Sequence, residues 1–190
     1  MHCINALLQG PFVSEKKLFQ IAKDLDEEQK KLLDGQEILG EDLSNMDKTG
    51  NFNIQVITKA LSEFNVELHP LKKNECQEKL SQKDNQIEAV VFNSSSHWFC
   101  IRKIDNVWYN LNSANSLPGP QIISDFYLDA FIKGTEEIGF TNFIPDHLPP
   151  IPEPSSDIYN NLTKSNQFLV PITVVLSNKK NNSKKVICHF

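Results

Sequence analysis

The sequence predicts an α+β domain built on a central antiparallel sheet flanked by helices. Three strand-like segments rich in Val, Ile and aromatics crowd between residues 87 and 112, and two of them meet at the two-residue turn Asp105-Asn106. Segments with apolar residues at helical spacing lie on both sides of that block. The chain has 190 residues, is 39% hydrophobic and contains twelve phenylalanines, which suffices for one domain with a real core and a tail.

The elements follow in order. Ile4, Leu7 and Leu8 share one helical face, and Gln9-Gly10-Pro11 stops that helix. Ser14 caps a second helix, with Leu18, Ile21, Ala22 and Leu25 on its apolar side and Glu15 in its first turn. That helix continues as a charged, solvated stretch from Asp24 to Leu33 and breaks at Asp34-Gly35. Asn45 to Gly50 is a loop. Phe52 to Leu61 opens a third helix in spite of its β-branched residues, with Ile54, Ile57, Leu61 and Phe64 on one side. A short strand at Val66–Leu71 and a short helix at Asn74–Leu80 come next. The strands are Ile87–Phe92, His97–Ile104 and Val107–Asn112. A loop at Asn115–Pro120, a helix at Ile122–Ile132 and a closing strand at Phe140–Ile144 complete the domain. Pro149, Pro150, Pro152 and Pro154 then mark a linker, so residues 1–148 are expected to form the domain and residues 149–190 a poorly ordered, low-complexity tail.

Composition narrows the function classes. The net charge is −5 with a pI near 5.5, and no basic stripe alternates with aromatics, so nucleic acid is not an expected partner. The longest apolar run, Phe168–Leu176, is interrupted by Pro171 and is too short to span a bilayer; no membrane partner is expected. Four cysteines without a CxxC pair and a start without a basic, apolar leader suit a cytoplasmic or nuclear protein. His2-Cys3 and Cys188-His189 lack metal-ligand spacing, and neither a metal nor a cofactor is expected.

Chemistry concentrates in the hairpin. A two-residue turn at Asp105-Asn106 pairs Ile104 with Val107 and Lys103 with Trp108. Alternation then puts His97, Phe99 and Ile101 on one face with Asn112, Asn110 and Trp108. His97 and Asn112 become diagonal neighbours roughly 7–8 Å apart at the backbone, a gap two side chains close. A carboxamide oxygen that orients an imidazole is one half of a Cys-His-Asn thiol hydrolase site. On spacing alone, a strand His before Trp is more often a packed, hydrogen-bonded core residue than a catalyst, and an Asn near a strand end usually bonds turn backbone. A slip of one residue would separate the pair.

Several stretches carry a resemblance. HCINALLQGP is similar to the stretch L-C-A-Q-H-C-x-N-x-L-L-Q-G of Josephin domains, NFNIQVITKAL to their F-S-I-Q-V helix, and HWFCIRKIDNVWYNLNS to their H-W…R-K…W-[FY]-N-L-N-S signature. GPQIISDFYLDAF and GFTNFI resemble the helix and strand that follow, so the likeness runs from Met1 to about Leu148. It implies a papain-like cysteine protease fold with a helical hairpin, here a shortened Ser14–Leu43, and cleavage after the last glycine of ubiquitin. By the same likeness, His97 is the general base and acid and Asn112 its orienting partner, with ubiquitin or polyubiquitin conjugates as partners. Ile54, Gln55 and Phe64 fall where related domains meet ubiquitin; for Ile54 and Phe64, core packing explains the positions equally well. The acidic run Asp24–Glu28 would attract ubiquitin's basic tail, or simply face solvent.

One departure shapes the expectation. In the family motif the nucleophile stands four residues before Cys3, ahead of Met1, and the oxyanion glutamine lies further upstream. Cys3 is expected to be a buried, inert thiol, Cys100 a core residue on the face opposite His97, Cys76 a surface-helix residue, and His69 and His147 exposed. The polypeptide as written is therefore expected to be inactive, an N-terminally incomplete sequence being favoured over a decayed enzyme. The alternative is a non-catalytic ubiquitin-binding module.

Overall fold

The computed structural model describes residues 1–32, 45–47, 50–71, 87–94, 97–114 and 119–151, and the backbone of Ile172–Val174 and Val186–Cys188. The break at Asp34-Gly35, the second arm of the hairpin up to Leu43, the helix at Asn74–Leu80 with Cys76, and loop residues 115–118 lie outside the described residues.

The first helix, α1 (His2–Leu8), is too short to hold itself together in water. Burial forms it instead: Cys3 through Leu8 are all buried, and Ile4, Leu7 and Leu8 each contribute roughly 1.5–3 kcal/mol of apolar transfer. Its stop is Gln9 in the left-handed region (φ 58°), not Gly10; the buried Gln9 amide donates to Ala6 O at 2.6 Å. Asn5 then pins the exit loop with two bonds to one residue, Nδ2 to Val13 O (2.8 Å) and Val13 N–H to Oδ1 (2.9 Å).

α2 (Glu15–Leu32) starts where Ser14 Oγ accepts the Lys17 N–H at 3.2 Å, and it buries Leu18, Ile21 and Ala22. α3 (Ile54–Ser62) overrides its β-branched content through a cap. Asn53 Oδ1 accepts from the N–H groups of Gln55 (3.0 Å) and Val56 (3.2 Å), and Val56, Ile57, Ala60 and Leu61 are buried.

The sheet contains β1 (Glu67–Pro70), β2 (Ala89–Ser94), β3 (His97–Ile104), β4 (Val107–Asn110), β5 (Gln121–Ile123) and β6 (Thr141–Asp146). They are ordered β1-β6-β2-β3-β4-β5, every neighbouring pair antiparallel. Alternation divides its side chains between two cores. Val91, Cys100, Tyr109 and Phe143 join α1, α2 and α3 on one face. Val90, Phe92, Phe99, Ile101 and Trp108 join Leu128 and Ile132 of α4 (Asp125–Glu137) on the other. The domain is therefore mixed α+β with helices on both sheet faces, as the sequence predicts.

Several boundaries differ from the sequence reading: β2 and β6 each end two residues later than expected, and two further cases bear on the site. The helix expected at Ile122–Ile132 starts later: Gln121–Ile123 pairs with β4 as a short edge strand, Ser124 is the N-cap, and α4 runs to Glu137. The two β-branched isoleucines Ile122 and Ile123 favour extended backbone once β4 offers an edge, which the helical spacing of the apolar residues had masked. The last hairpin strand ends at Asn110 rather than Asn112, although the Leu111 N–H still reaches Cys100 O at 3.0 Å.

At the far end, Leu148 and Ile151 pack against the α1-side core. In the tail, β7 (Ile172–Val174) and β8 (Val186–Cys188) pair antiparallel.

Candidate active site

The turn at Asp105-Asn106 has positive φ at both residues (49° and 63°), the geometry of a type I′ hairpin, which both residue types tolerate. It fixes the register Ile104↔Val107, Lys103↔Trp108, Arg102↔Tyr109 and Ile101↔Asn110. His97 thus opens β3, and Asn112 sits just past the end of β4, where the chain leaves the ladder.

That departure positions Asn112. Asn110 Oδ1 accepts the Asn112 N–H at 3.1 Å, and Asn112 Oδ1 accepts the Ala114 N–H at 3.0 Å, so carboxamides replace the missing strand partner. The same Asn112 Oδ1 lies 2.8 Å from His97 Nε2. A backbone N–H only donates, so the Asn112 atom it meets is the oxygen, and His97 Nε2 must supply the proton of the second bond. The imidazole is thereby held as the Nε2–H tautomer, with the Nδ1 lone pair free to take a proton. Phe99 stacks against the ring at a centroid distance of 5.8 Å and limits its tilt.

His97 and Trp98 line a cleft of about 260 Å³ together with Met1, His2 and Cys3 at the start of α1. The Trp98 indole N–H donates to Phe52 O at 3.0 Å, which fastens the segment Gly50–Phe52 as a further wall. Cys3 is only 5% exposed, and Cys100 lies in the core on the α1 side with its thiol 3.7 Å from Cys3 O. Neither described cysteine presents a sulfur as His97 presents its nitrogen.

The other end of α1 is held differently. Arg102, 1% exposed, donates through Nη1 to Leu7 O and through Nη2 to Pro149 O at 3.1 Å. Burial pulls the guanidinium pKa below its ordinary value, and the fields of Cys100 and Glu88 push back. A cation on the last carbonyls of α1 also meets the negative end of the helix dipole.

The residues expected to face ubiquitin separate from the cleft. Ile54 and Phe64 are partly buried against the α1-side core, and Phe64 meets the Phe12 ring at 5.8 Å. Gln55 is exposed and accepts from Gln29 Nε2 at 3.1 Å. His69 is half-exposed on β1, 3.3 Å from Asp146. Sequence reasoning did not single out Asn110, Trp98 or Arg102. The Asn-x-Asn spacing signals the first, whereas the other two depend on contacts distant in sequence. Among the described residues, no cluster of three or more His, Cys, Asp or Glu could hold a metal, and no helix is long and apolar enough to cross a membrane.

An imidazole oriented by a carboxamide, on antiparallel strands facing the start of a buried helix, is the arrangement of the papain-like class. The chain belongs to the Josephin family, whose model matches residues 1–145. It is similar to an ataxin-3 homolog of Arabidopsis thaliana, 38% identical over 76% of this chain and 54% of that protein. Ataxin-3 of Homo sapiens is 36% identical over 75% of this chain and 41% of that protein, and the Caenorhabditis elegans homolog 30% identical over 78% and 46%. The chain spans about half the length of the curated relatives it matches.

Proposed function

We propose that the protein is a cysteine-type deubiquitinase acting on the bond after the C-terminal glycine of ubiquitin, with His97 as general base and acid and Asn112 as its orienting partner. The 2.8 Å bond between His97 Nε2 and Asn112 Oδ1, beside a cleft shared with the start of α1, carries this reading. Membership of the Josephin family supports it.

In the proposed cycle, Nδ1 of His97 takes the proton of a thiol, and the sulfur attacks the glycine carbonyl. As the C–N bond breaks, the imidazolium returns its proton to the leaving lysine amine, and a thioester remains. Water then loses a proton to the same nitrogen and attacks the thioester; the C–S bond breaks, ubiquitin leaves as the free acid, and the imidazolium returns its proton to the sulfur. Asn112 stabilises the imidazolium by keeping Nε2–H bonded throughout. The thiol belongs to the family position four residues before Cys3. The buried Cys3 and Cys100 do not substitute for it.

A ubiquitin bearing a C-terminal thiol-reactive electrophile tests this in two arms. Residues 1–190 should stay unlabelled, whereas a chain in which Leu-Cys-Ala-Gln precedes His2 should label at the added cysteine and lose at least a hundredfold in rate with His97→Ala. Labelling of Cys3 in the first arm, or labelling indifferent to His97 in the second, would overturn the assignment. Ubiquitin binding without labelling in the second arm would instead favour a non-catalytic binding module.

A further inference from the structure

The cleft beside His97 contains one carboxylate and no lysine or arginine among its lining residues, and that carboxylate is Glu15. Glu15 opens α2, so its place follows from the Ser14 cap that starts the helix there. One cation shares the cleft wall, the Met1 ammonium, and no lysine or arginine side chain pairs with Glu15 among the described residues. Its neighbour Lys17 is drawn away to Glu63 at 2.8 Å, and the position one turn on is Phe19. Glu15 itself enters no ion pair with the described residues. It does act on the cleft wall: burial lowers the pKa of the Met1 ammonium, and the fields of Cys3 and then Glu15 oppose that shift.

Two acids of the run further along α2 have partners elsewhere. Asp24 accepts from Gln20 at 2.8 Å, and Asp26 holds the backbone and side-chain nitrogens of Asn45 at 2.9 and 2.7 Å. Neither lines the cleft. The one carboxylate on the cleft wall is thus a residue outside the obvious acidic stretch, one that the sequence does not single out.

We infer that Glu15 is a specificity-determining residue, whose carboxylate receives a cationic side chain of the substrate as it enters the His97 cleft. This rests on the deubiquitinase reading and deepens it. Two sources supply such a cation: an arginine of ubiquitin's basic tail, or the lysine side of the conjugate beyond the scissile bond. A carboxylate bordering a partly enclosed cleft attracts either one more strongly than the same group on open surface, and it disfavours acidic sequences at the same position.

Binding, which needs no nucleophile, tests the inference. Residues 1–190 and their Glu15→Gln and Ile54→Ala variants are titrated with ubiquitin, with ubiquitin whose tail arginines are changed to glutamine, and with ubiquitin joined to a lysine peptide. Glu15→Gln should weaken binding of the lysine-peptide conjugate of ubiquitin about three- to fivefold at low salt, and the effect should shrink at 0.5 M salt. With an arginine as the cation, the loss disappears on the tail-altered ubiquitin. With the lysine side as the cation, free ubiquitin is indifferent to Glu15 and only the conjugate loses affinity. Glu15→Gln binding all three ligands like the parent, while Ile54→Ala weakens them, would overturn the role of Glu15 and leave the deubiquitinase reading standing. No binding of any ligand by the parent would remove both.

Discussion

One strand carries two polar side chains of opposite design. His97 opens β3 half-buried, bonded through one ring nitrogen and open to a cleft through the other. Arg102, five residues on, is sealed from solvent and spends two nitrogens on the carbonyls of Leu7 and Pro149. Both work on α1, at its two ends. The contrast separates a group that must exchange a proton from one that must hold a helix still. The first needs a free lone pair and room, while the second needs burial and two fixed acceptors, even with its Nε left without a partner.

Substitutions at the fixed end should therefore cost stability, and those at the open end should change chemistry. Arg102→Ala leaves the buried Leu7 carbonyl and the partly buried Pro149 carbonyl without a donor and a hole beside them, and it should lower unfolding free energy by about 3 kcal/mol in urea titrations. Arg102→Met fills the space without a buried charge and should lose about half as much. A methionine variant as stable as the parent would break the idea of a clamp. Asn5→Ala removes the paired bonds to Val13 at the same end of α1, at a cost of about 2 kcal/mol by the same measurement. Asn112→Ala, at the open end, should shift stability by no more than about 1 kcal/mol. Its mark is spectroscopic: the nitrogen chemical shifts of the His97 ring should leave the pure Nε2–H pattern for a mixture of tautomers. A ring that keeps its tautomer without Asn112 would erase the distinction between the two ends.

The open end was legible in the sequence, and the fixed end was not. Asp105-Asn106 specifies a turn of known length, that turn sets the register, and alternation then carries His97 to Asn112 by counting. Every step is local. Arg102 sits within the same strand, beside Lys103, and looks like one more charge on a half-solvated ladder. Its burial depends on where Leu7 and Pro149 arrive, from 95 positions earlier and 47 later. The misplaced start of α4 has a related cause, since Ile122 and Ile123 suit either structure until β4 offers an edge to pair with. At the cleft, the sequence pointed to the clustered acids of α2, because position in a cleft, unlike clustering, is not written in the spacing.

The indole of Trp98 borders the cleft and is tied to Phe52, whereas Trp108, the other of the chain's two tryptophans, is 2% exposed in the core beneath α4. The molecule thus contains two optical probes with separate subjects. Quenching of Trp98 by small solutes should respond to occupancy of the cleft, and the emission that survives in Trp98→Phe should follow only the melting of the core. One fluorescence cuvette can then tell a filled cleft from a loosened domain.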